Sequence, residues 1–316
     1  MIAPDSDSMR ERLVCIFGPT CVGKSAFALK LAEYYGGEIV GADSLQVYRR
    51  MDIGTAKPTP ADRSRVPHHL LDVVEPNQPF DASRYQEMAA QAVTSIHKKI
   101  KTPFVAGGTG LYIRALLGGL IDGPPADEEL RIRLKGEMKE RGKGYLHDLL
   151  AEKDPRAASV IHPHDGIRIV RALEVLELTG RSIVEYRERH RFQGSRWDVL
   201  RIGLRLDRQE LYRRIDERVD RMMAAGFLEE VEGLLKSGCN ESLKPMQSLG
   251  YRHLSAVVRG RISLEEAVRL TKRDTRMYSK RQMTWFSADR EAVWLSPDSL
   301  AEARTLIDFF LRGKGA

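Results

Sequence analysis

One segment of the sequence has the glycine pattern that binds a phosphate chain. Gly18, Gly23, Lys24 and Ser25 occupy the fixed positions of GxxxxGK[ST], between an apolar run and a helical pattern. Glycines let consecutive backbone amides close around phosphate oxygens, and the next helix turns its positive dipole end toward them. Lys24 adds a cation, and the Ser25 hydroxyl is a possible Mg²⁺ ligand. The predicted diphosphate- or nucleotide-binding residues are Gly18, Pro19, Thr20, Cys21, Val22, Gly23, Lys24 and Ser25.

The phosphate loop lacks the acidic strand end that is usual in nucleotide hydrolases, where the carboxylate holds magnesium and water. The best candidate strand ends in Ala106-Gly107-Gly108-Thr109, and the nearest carboxylate, Asp43, follows a different strand. Ligands of an open parallel sheet bind beyond the carboxyl ends of its strands, so Thr20, Asp43 and Thr109 are expected around one crevice. A carboxylate there can hold magnesium or accept a proton. Helix capping remains the alternative for Asp43 and for Thr109.

Basic residues are concentrated toward the C-terminal end. Residues 239–290 hold eleven Lys and Arg against five Asp and Glu, which supplies most of the net charge of +7. Such asymmetry indicates a polyanionic partner. Five of these residues fall within about a 100° arc of one predicted helix, a spacing suited to a phosphodiester backbone. We call this set the basic stripe: Arg269, Lys272, Arg273, Arg276 and Lys280. A solvated charged face is the alternative.

Two other groups of residues allow both a functional and a structural interpretation. Arg214, Arg218 and Arg221 share one helix face, where arginine could hold phosphate oxygens, but pairing with nearby glutamates is favoured from spacing alone. His162-Pro163-His164-Asp165 resembles a metal-binding stretch. A loop whose Asp165 caps the next helix is the better interpretation.

Positioning these residues requires a sheet whose strands end on one side. The first third of the chain alternates strand and helix patterns, which predicts an α/β fold, a P-loop NTPase-like parallel sheet with helices on both faces. The predicted strands are Leu13–Phe17, Glu38–Ala42, His69–Val74 and Pro103–Ala106. The predicted helices are Ser25–Tyr35, Ala82–Lys101 and one that ends near Leu117.

The pattern changes after residue 121. Gly123-Pro124-Pro125 interrupts the alternation, and residues 122–198 are helical and highly charged. A strand pattern returns at Val199–Leu206. The later predicted elements are helices at Gln209–Lys236 and Leu264–Phe286, a strand at Val293–Leu295 and a helix at Leu300–Leu311. The chain is therefore expected to hold a core of residues 1–121 and 199–316, interrupted by an inserted all-helical domain at 122–198.

Composition excludes several classes of protein. Hydrophobic residues make up 42% of the chain, yet no apolar run approaches the roughly 20 residues of a membrane span. The first residues lack the basic and apolar regions of a secretory signal. Cys15, Cys21 and Cys239 form no CxxC pair, which argues against a disulfide scaffold or a zinc site. A monomeric cytoplasmic protein that does not associate with membranes is expected.

Seven stretches of the sequence resemble the bacterial tRNA dimethylallyltransferase family, also called tRNA isopentenyltransferases. The phosphate loop is shared by many families, whereas Asp43–Tyr48 together with Met51–Pro58 is far more discriminating. The matching stretches are Gly18–Ser25, Asp43–Tyr48, Met51–Pro58, Gly107–Tyr112, Arg171–Val175, Ser248–Arg252 and Ser279–Trp285.

The resemblance implies that the phosphate loop binds dimethylallyl diphosphate with Mg²⁺, instead of using ATP as a phosphoryl donor. The acceptor would be the exocyclic N6 of the adenosine immediately 3′ of the tRNA anticodon. The family pattern places the base at Asp43, a substrate contact at Thr109 and a diphosphate clamp at Arg218. It implies tRNA contacts at Asp43, Ser44, Leu45, Gln46, Ile167, Arg168, Ile169, Val170, Arg171, Gln247, Ser248, Leu249, Gly250, Tyr251 and Arg252. Further expected contacts to the anticodon stem-loop are Arg131, Arg273, Arg276 and Lys280.

Two other function classes remain open on the sequence. A small-molecule kinase would account for the phosphate loop and the inserted helices, but it would leave residues 239–290 without a role. A non-catalytic RNA-binding protein would account for the basic residues, but it would not need the intact Lys24-Ser25 pair.

Overall fold

The strands expected from the sequence pair in one parallel sheet. A computed structural model describes residues 11–121, 123–190 and 196–312. The strands are β1 (Arg12–Phe17), β2 (Glu38–Ala42), β3 (His68–His69), β4 (Pro103–Gly107), β5 (Asp198–Leu204) and β6 (Val293–Leu295). They lie in the order β3-β2-β4-β1-β5-β6, and every neighbouring pair is parallel. The strand pattern at 199–206 therefore does return the chain to the sheet, where it lies directly beside β1.

Helices surround this sheet and form the inserted segment. In the first half they are α1 (Lys24–Tyr34), α2 (Pro60–Arg65), α3 (Ala82–Lys98), α4 (Gly110–Gly118), α5 (Glu128–Arg141), α6 (Lys143–Lys153) and α7 (Pro155–Val160). The later ones are α8 (Gly166–Thr179), α9 (Ile183–His190), α10 (Arg208–Ala224), α11 (Phe227–Lys236), α12 (Tyr251–Val258), α13 (Leu264–Phe286) and α14 (Leu300–Arg312). None of the helices in the described ranges is both long and apolar enough to cross a membrane.

Strand β1 shows why helices must cover both faces of the sheet. Successive side chains of a strand point to opposite faces, and those of Leu13–Phe17 are all buried. Leu13, Cys15 and Phe17 belong to the core that includes α3 and the end of α13. Val14 and Ile16 belong to a second core that includes α1 and α14. The predicted α/β architecture is confirmed.

Three predicted elements differ from the observed ones, and left-handed backbone explains each difference. The predicted strand at 69–74 is reduced to β3, because Leu70 and Asp72 have φ of 62° and 56°, which extended strands do not adopt. Helix α3 ends at Lys98, just before Ile100 with φ of 58°. The single helix expected at 209–236 is two, because Gly226, with φ of 94°, ends the first and begins α11.

The chain divides into two compact units. One comprises Met1–Leu117 and Ser195–Ala316, and the other is Gly118–Gly194, whose helices are α5–α9. The helical unit has its own core, in which Leu134, Leu146 and Leu173 are completely buried. Residue 122, where the sequence placed the start of the insertion, lies outside the described residues, and Asp198, its predicted end, is the first residue of β5.

Candidate phosphate-binding and catalytic site

The phosphate loop connects β1 to α1 through unusual backbone angles. Gly18, Cys21 and Gly23 have φ of 150°, 65° and 105°, values at which glycine is favoured. A Cβ on Gly18 would lie 2.5 Å from the carbonyl oxygen of Leu204 in β5, so only glycine fits there. Gly23 precedes α1 without a side-chain cap, which leaves first-turn amides available to an anion.

Lys24 is the first residue of α1, and its side chain contacts the loop. Its Nζ donates to the Pro19 carbonyl oxygen at 2.6 Å. Burial lowers the pKa of the Lys24 ammonium to about 8, although the nearby Asp43 carboxylate opposes this shift. The same ammonium is repelled by Arg218, so two cations already share this part of the site.

The structure separates the three arginines that share one face of α10. Arg214 pairs with Glu210 at 2.6 Å, and Arg221 lies 4.0 Å from Glu217, as the structural interpretation expected. Arg218 instead points to the phosphate loop, where Nη1 donates to Thr20 Oγ1 at 3.3 Å. Its Nη2 donates to the Thr55 carbonyl oxygen at 3.2 Å. Arg218 forms no ion pair with an acid of the described ranges, so its charge remains available to an anion.

Asp43 and Thr109 meet at the carboxyl ends of β2 and β4. Asp43 Oδ1 accepts from the amides of Leu45 at 2.9 Å and Gln46 at 3.3 Å, and so caps a turn instead of a helix. Its Oδ2 has no hydrogen-bond donor among residues 11–121, 123–190 and 196–312. Thr109 Oγ1 accepts from the Ser44 amide at 3.0 Å, which holds the two strand ends together. Burial and then Asp43 raise the pKa of Tyr278 to about 12, which keeps this neighbouring hydroxyl protonated.

Gln282 is a site residue for which the sequence reasoning gave no role. This buried side chain of α13 accepts from the Thr20 amide through Oε1 at 2.9 Å. Its Nε2 donates to the Gly108 carbonyl oxygen at 2.8 Å. A Cβ on Gly108 would lie 2.6 Å from that nitrogen. Gln282 therefore connects the phosphate loop to the end of β4, and its only sequence signal is its place in the stretch Ser279–Trp285.

Lys57 and Glu230 hold the segment Met51–Lys57, which the sequence singled out without a structural reason. The Lys57 ammonium is buried and donates to the Tyr48 carbonyl oxygen and Asp72 Oδ1, both at 2.7 Å. Glu230 of α11 accepts backbone amides from the other end of the segment. Lys57 and Glu230 thus hold Met51–Lys57 as a fixed loop, and the Thr55 carbonyl oxygen of this loop accepts a hydrogen bond from Arg218.

Four of the five basic-stripe residues pair with acids of the chain itself. Lys272 and Arg276 pair with Asp220 at 2.7 Å and Asp216 at 2.9 Å, both on α10. Arg269 and Arg273 pair within α13, at 2.7 Å with Glu266 and 2.8 Å with Asp274. Lys280 is exposed, and its ammonium has no acidic partner in the part of the chain that the structure describes. The stripe therefore serves partly to join α13 to α10.

The stretch 247–252 contains both exposed and buried expected tRNA contacts. Gln247 and Arg252 are exposed, and Ser248 and Leu249 are half-buried. Gly250 and Tyr251 are buried, so the Tyr251 ring does not face solvent. Arg252 pairs with Asp274 at 2.5 Å.

In the helical unit, the expected tRNA contacts likewise divide by burial. Ile167 is 87% exposed, and Arg168 is exposed beside Asp165. Ile169 and Val170 are buried in the unit's core, so their side chains do not reach the surface. Arg131 and Arg171 both pair with the fully buried Glu174, at 2.8 and 2.5 Å. Of the stretch 167–171, Ile167 and Arg168 therefore have the most accessible side chains.

The site offers oxygen donors that fit magnesium better than a transition metal. The described residues hold no cluster of three or more His, Cys, Asp or Glu suited to a metal ion. Ser25 is exposed in the first turn of α1, beside the loop. Mg²⁺ typically keeps several waters and combines few protein oxygens with substrate phosphates, which suits this sparse donor set. At His162-Pro163-His164-Asp165, Asp165 caps α8 by accepting from the Arg168 amide, as predicted.

Taken together, the geometry places a cationic cradle beside a carboxylate. Lys24, Arg218 and the amides at the start of α1 can stabilise a diphosphate as negative charge develops on it. Asp43 Oδ2 can accept a proton from a group held close by. The arrangement suits displacement of a diphosphate by a nucleophile that loses a proton.

The chain is also similar to known proteins that are named for the transfer of such a group. A family model described as IPP transferase matches residues 46–289. The chain is 52% identical to tRNA dimethylallyltransferase 2 of Syntrophus aciditrophicus over 305 residues, which cover 96% of this chain and 98% of that protein. It is 50% identical to tRNA dimethylallyltransferase of Geobacter sulfurreducens over 286 residues, 90% of this chain and 92% of that protein.

Solved structures show the same likeness. The tRNA isopentenylpyrophosphate transferase of Bacillus halodurans aligns with a TM-score of 0.71 and 37% identity, over 95% of this chain and 96% of that one. A eukaryotic dimethylallyltransferase acting on tRNA aligns with a TM-score of 0.80 and 25% identity, over 96% of this chain and 80% of that one.

Proposed function

Because the chain belongs to the IPP transferase family, we propose that it transfers a dimethylallyl group from dimethylallyl diphosphate to tRNA. The acceptor atom is N6 of the adenosine immediately 3′ of the anticodon, and the products are N6-(dimethylallyl)adenosine and diphosphate. The observation that carries this proposal is that Arg218 contacts Thr20 of the phosphate loop while Asp43 lies close enough to influence the pKa of Lys24.

The chemistry requires both parts of the site. An adenine amine is a weak nucleophile because its lone pair is delocalised into the ring. As the N6–C1 bond forms and the C1–O bond breaks, Asp43 takes the N6 proton and diphosphate leaves with the bonding electrons. Lys24, Arg218 and the loop amides stabilise the charge that develops on this leaving group. Thr109 holds the strand end that carries Asp43.

Mg²⁺ is the proposed metal, and the Ser25 hydroxyl would hold it together with oxygens of the diphosphate. When bound, it supplies further positive charge to the leaving group. The exposed position of Ser25 at the start of α1 supports this assignment.

The acceptor side of the site is proposed to bind the anticodon stem-loop. The target adenine must leave the anticodon stack before it can enter a pocket, which requires the protein to hold the RNA backbone on either side. In the unit that holds the sheet, the exposed positions of Gln247, Arg252 and Lys280 support such contacts. In the helical unit, Ile167 and Arg168 are exposed. The expected setting is a monomer acting in the cytoplasm.

The test follows labelled dimethylallyl diphosphate into unmodified tRNA in the presence of Mg²⁺. Asp43→Ala should lower turnover by about 10²- to 10⁴-fold, the range for loss of a general base, with a smaller change in tRNA binding. Asp148→Ala is the matched control, because Asp148 is an exposed aspartate of α6. Near-normal turnover in Asp43→Ala would reject Asp43 as the base. Label that moves only from ATP to a metabolite would support a small-molecule kinase instead.

A further inference from the structure

Glu230 of α11 accepts four hydrogen bonds, three of them from consecutive backbone amides. Its Oε2 accepts from Asp52 N at 2.8 Å and Ile53 N at 2.7 Å. Its Oε1 accepts from Gly54 N at 3.1 Å and from the Tyr251 hydroxyl at 2.7 Å. Consecutive amides that converge on one carboxylate form a nest, and this nest fixes the backbone of residues 52–54.

The residue after this nest directs two side chains of the proposed site. The Thr55 hydroxyl donates to the Met51 carbonyl oxygen at 2.7 Å, which closes the loop. The Thr55 carbonyl oxygen accepts from Arg218 Nη2 at 3.2 Å and from Gln46 Nε2 at 3.1 Å. This one oxygen is therefore a shared acceptor that helps to position both side chains.

The loop also packs tightly where Glu230 holds it. A Cβ on Gly54 would lie 2.2 Å from Phe227 Cε2 and 2.7 Å from Tyr251 Cε2. Glycine is therefore required for residue 54 to approach the two rings. The Tyr251 ring is completely buried, so the hydroxyl that meets Glu230 comes from a fixed part of the core.

We propose that Glu230 is a positioning residue for the transfer reaction, acting through the Thr55 carbonyl to orient the Arg218 guanidinium toward the diphosphate. An acid beside Arg218 would orient it but would also neutralise its charge. A backbone carbonyl orients the guanidinium and leaves the charge available for the leaving group. Glu230 makes the loop that carries this carbonyl rigid without contacting Arg218. Its own charge is satisfied by the three amides and the Tyr251 hydroxyl, so it does not neutralise the guanidinium. The inference rests on the proposed function.

The first experiment compares Glu230→Gln with wild type in the transfer of label from dimethylallyl diphosphate to tRNA. We expect kcat/KM for the diphosphate to fall about 10- to 100-fold, the range for loss of a hydrogen bond to a charged group. Glu232→Gln is the matched control: it makes the same charge change on the same helix, at a residue paired with Lys236. An equal effect of the two substitutions would overturn the inference. An inactive wild type would instead reject the proposed function.

The second experiment separates positioning of Arg218 from general support of the fold. In the Arg218→Ala background, adding Glu230→Gln should lower kcat/KM by less than about twofold, because the group that Glu230 positions is already absent. If Glu230 had a purely structural role, Glu230→Gln would lower kcat/KM in the Arg218→Ala background by the same factor as in wild type. That additive result would overturn the proposal.

Tyr251→Phe keeps the inference testable if Glu230→Gln does not fold. It removes one of the four donors and retains the buried ring. We expect a loss in kcat/KM of about 3- to 10-fold, smaller than for Glu230→Gln because three of the four donors remain, and no such loss when Arg218 is Ala. Unchanged kcat/KM in Tyr251→Phe, or the same loss in both backgrounds, would contradict the proposal.

Discussion

Lys24 gives the site a dependence on pH. Burial holds the pKa of its ammonium at about 8 in the free protein, and a bound diphosphate would favour the charged form. Protonated Lys24 is therefore the binding form, and donor affinity should fall as pH rises through about 8. The limiting slope is about tenfold per pH unit for one linked proton.

Calorimetric titration of dimethylallyl diphosphate between about pH 7.5 and 9.5 checks this prediction, since the window spans the pKa of Lys24. In Lys24→Arg the cation keeps its charge across the whole window, so its affinity should show no step near pH 8. A step of the same size in both proteins would assign the titration to another group.

At the same scale, the sequence predicted the charged residues of the site but not the residues that hold the site's backbone in place. Lys24 follows from the phosphate-loop pattern, and Asp43 from its place at a strand end. Gln282 and Glu230 left no comparable signal, because they contact backbone atoms 262 and 176 residues away. A backbone amide looks the same in every residue, so no spacing in the sequence marks its partner. Arg218 was identified by family resemblance, since spacing alone favoured pairing with glutamate.

Among the elements, α13 and α10 are joined by the basic stripe. Lys272 and Arg276 pair with acids of α10, the helix that carries Arg218. These two residues therefore have a structural role whether or not they meet RNA. Arg269, Arg273 and Lys280 are the exposed members of the stripe, and of these Arg273 and Lys280 are among the expected tRNA contacts.

Neutralising Arg273 and Lys280 together, both to Gln, should weaken tRNA binding and reduce the salt slope by about one to two units. Binding of dimethylallyl diphosphate should remain, because it depends on the phosphate loop. Filter binding across a salt series measures the slope. The double variant Arg213→Gln, Arg221→Gln is the control: it removes two charges from α10 that pair with glutamates. An unchanged slope in the α13 variant would identify the stripe as a solvated face.

Most elements of the fold were predictable because their patterns are local. The buried run of β1 and the helical spacing of α13 are read from neighbouring residues alone. The exceptions were set by single backbone angles, such as the φ of 62° at Leu70. Left-handed backbone at a leucine has no signature in composition, because it is imposed by tertiary contacts that the sequence pattern does not show.

At the scale of the whole molecule, the helical unit depends on one buried acid. Glu174 is fully buried and pairs with Arg131 and Arg171. Burial raises its pKa, but the two arginines outweigh that effect and hold the pKa below the usual 4.5. Its charged form therefore stabilises the fold above about pH 4.5, and this contribution is lost as the pH falls further.

Glu174→Gln should lower the free energy of unfolding by about 3 kcal/mol at pH 7, because two arginines lose their buried partner. Urea denaturation measures the loss, which should shrink below about pH 4.5 as the wild-type carboxyl protonates. Glu177→Gln, on the same helix but half-buried beside Arg133, should cost less than about 1 kcal/mol. Equal losses of unfolding free energy in the two variants would show that the buried cluster stabilises the fold no more than a surface ion pair does.

The position of β1 between β4 and β5 has a consequence for synthesis on the ribosome. At about 5–20 residues per second, β5 follows β4 by several seconds, and Gln282 follows the phosphate loop by roughly 13–50 seconds. During that interval one edge of β1, whose residues Leu13–Phe17 are all apolar, has no partner, and unpaired strand edges are where nascent chains associate wrongly. Chaperones that bind exposed apolar strands should therefore contact this chain most while its inserted helices are being translated.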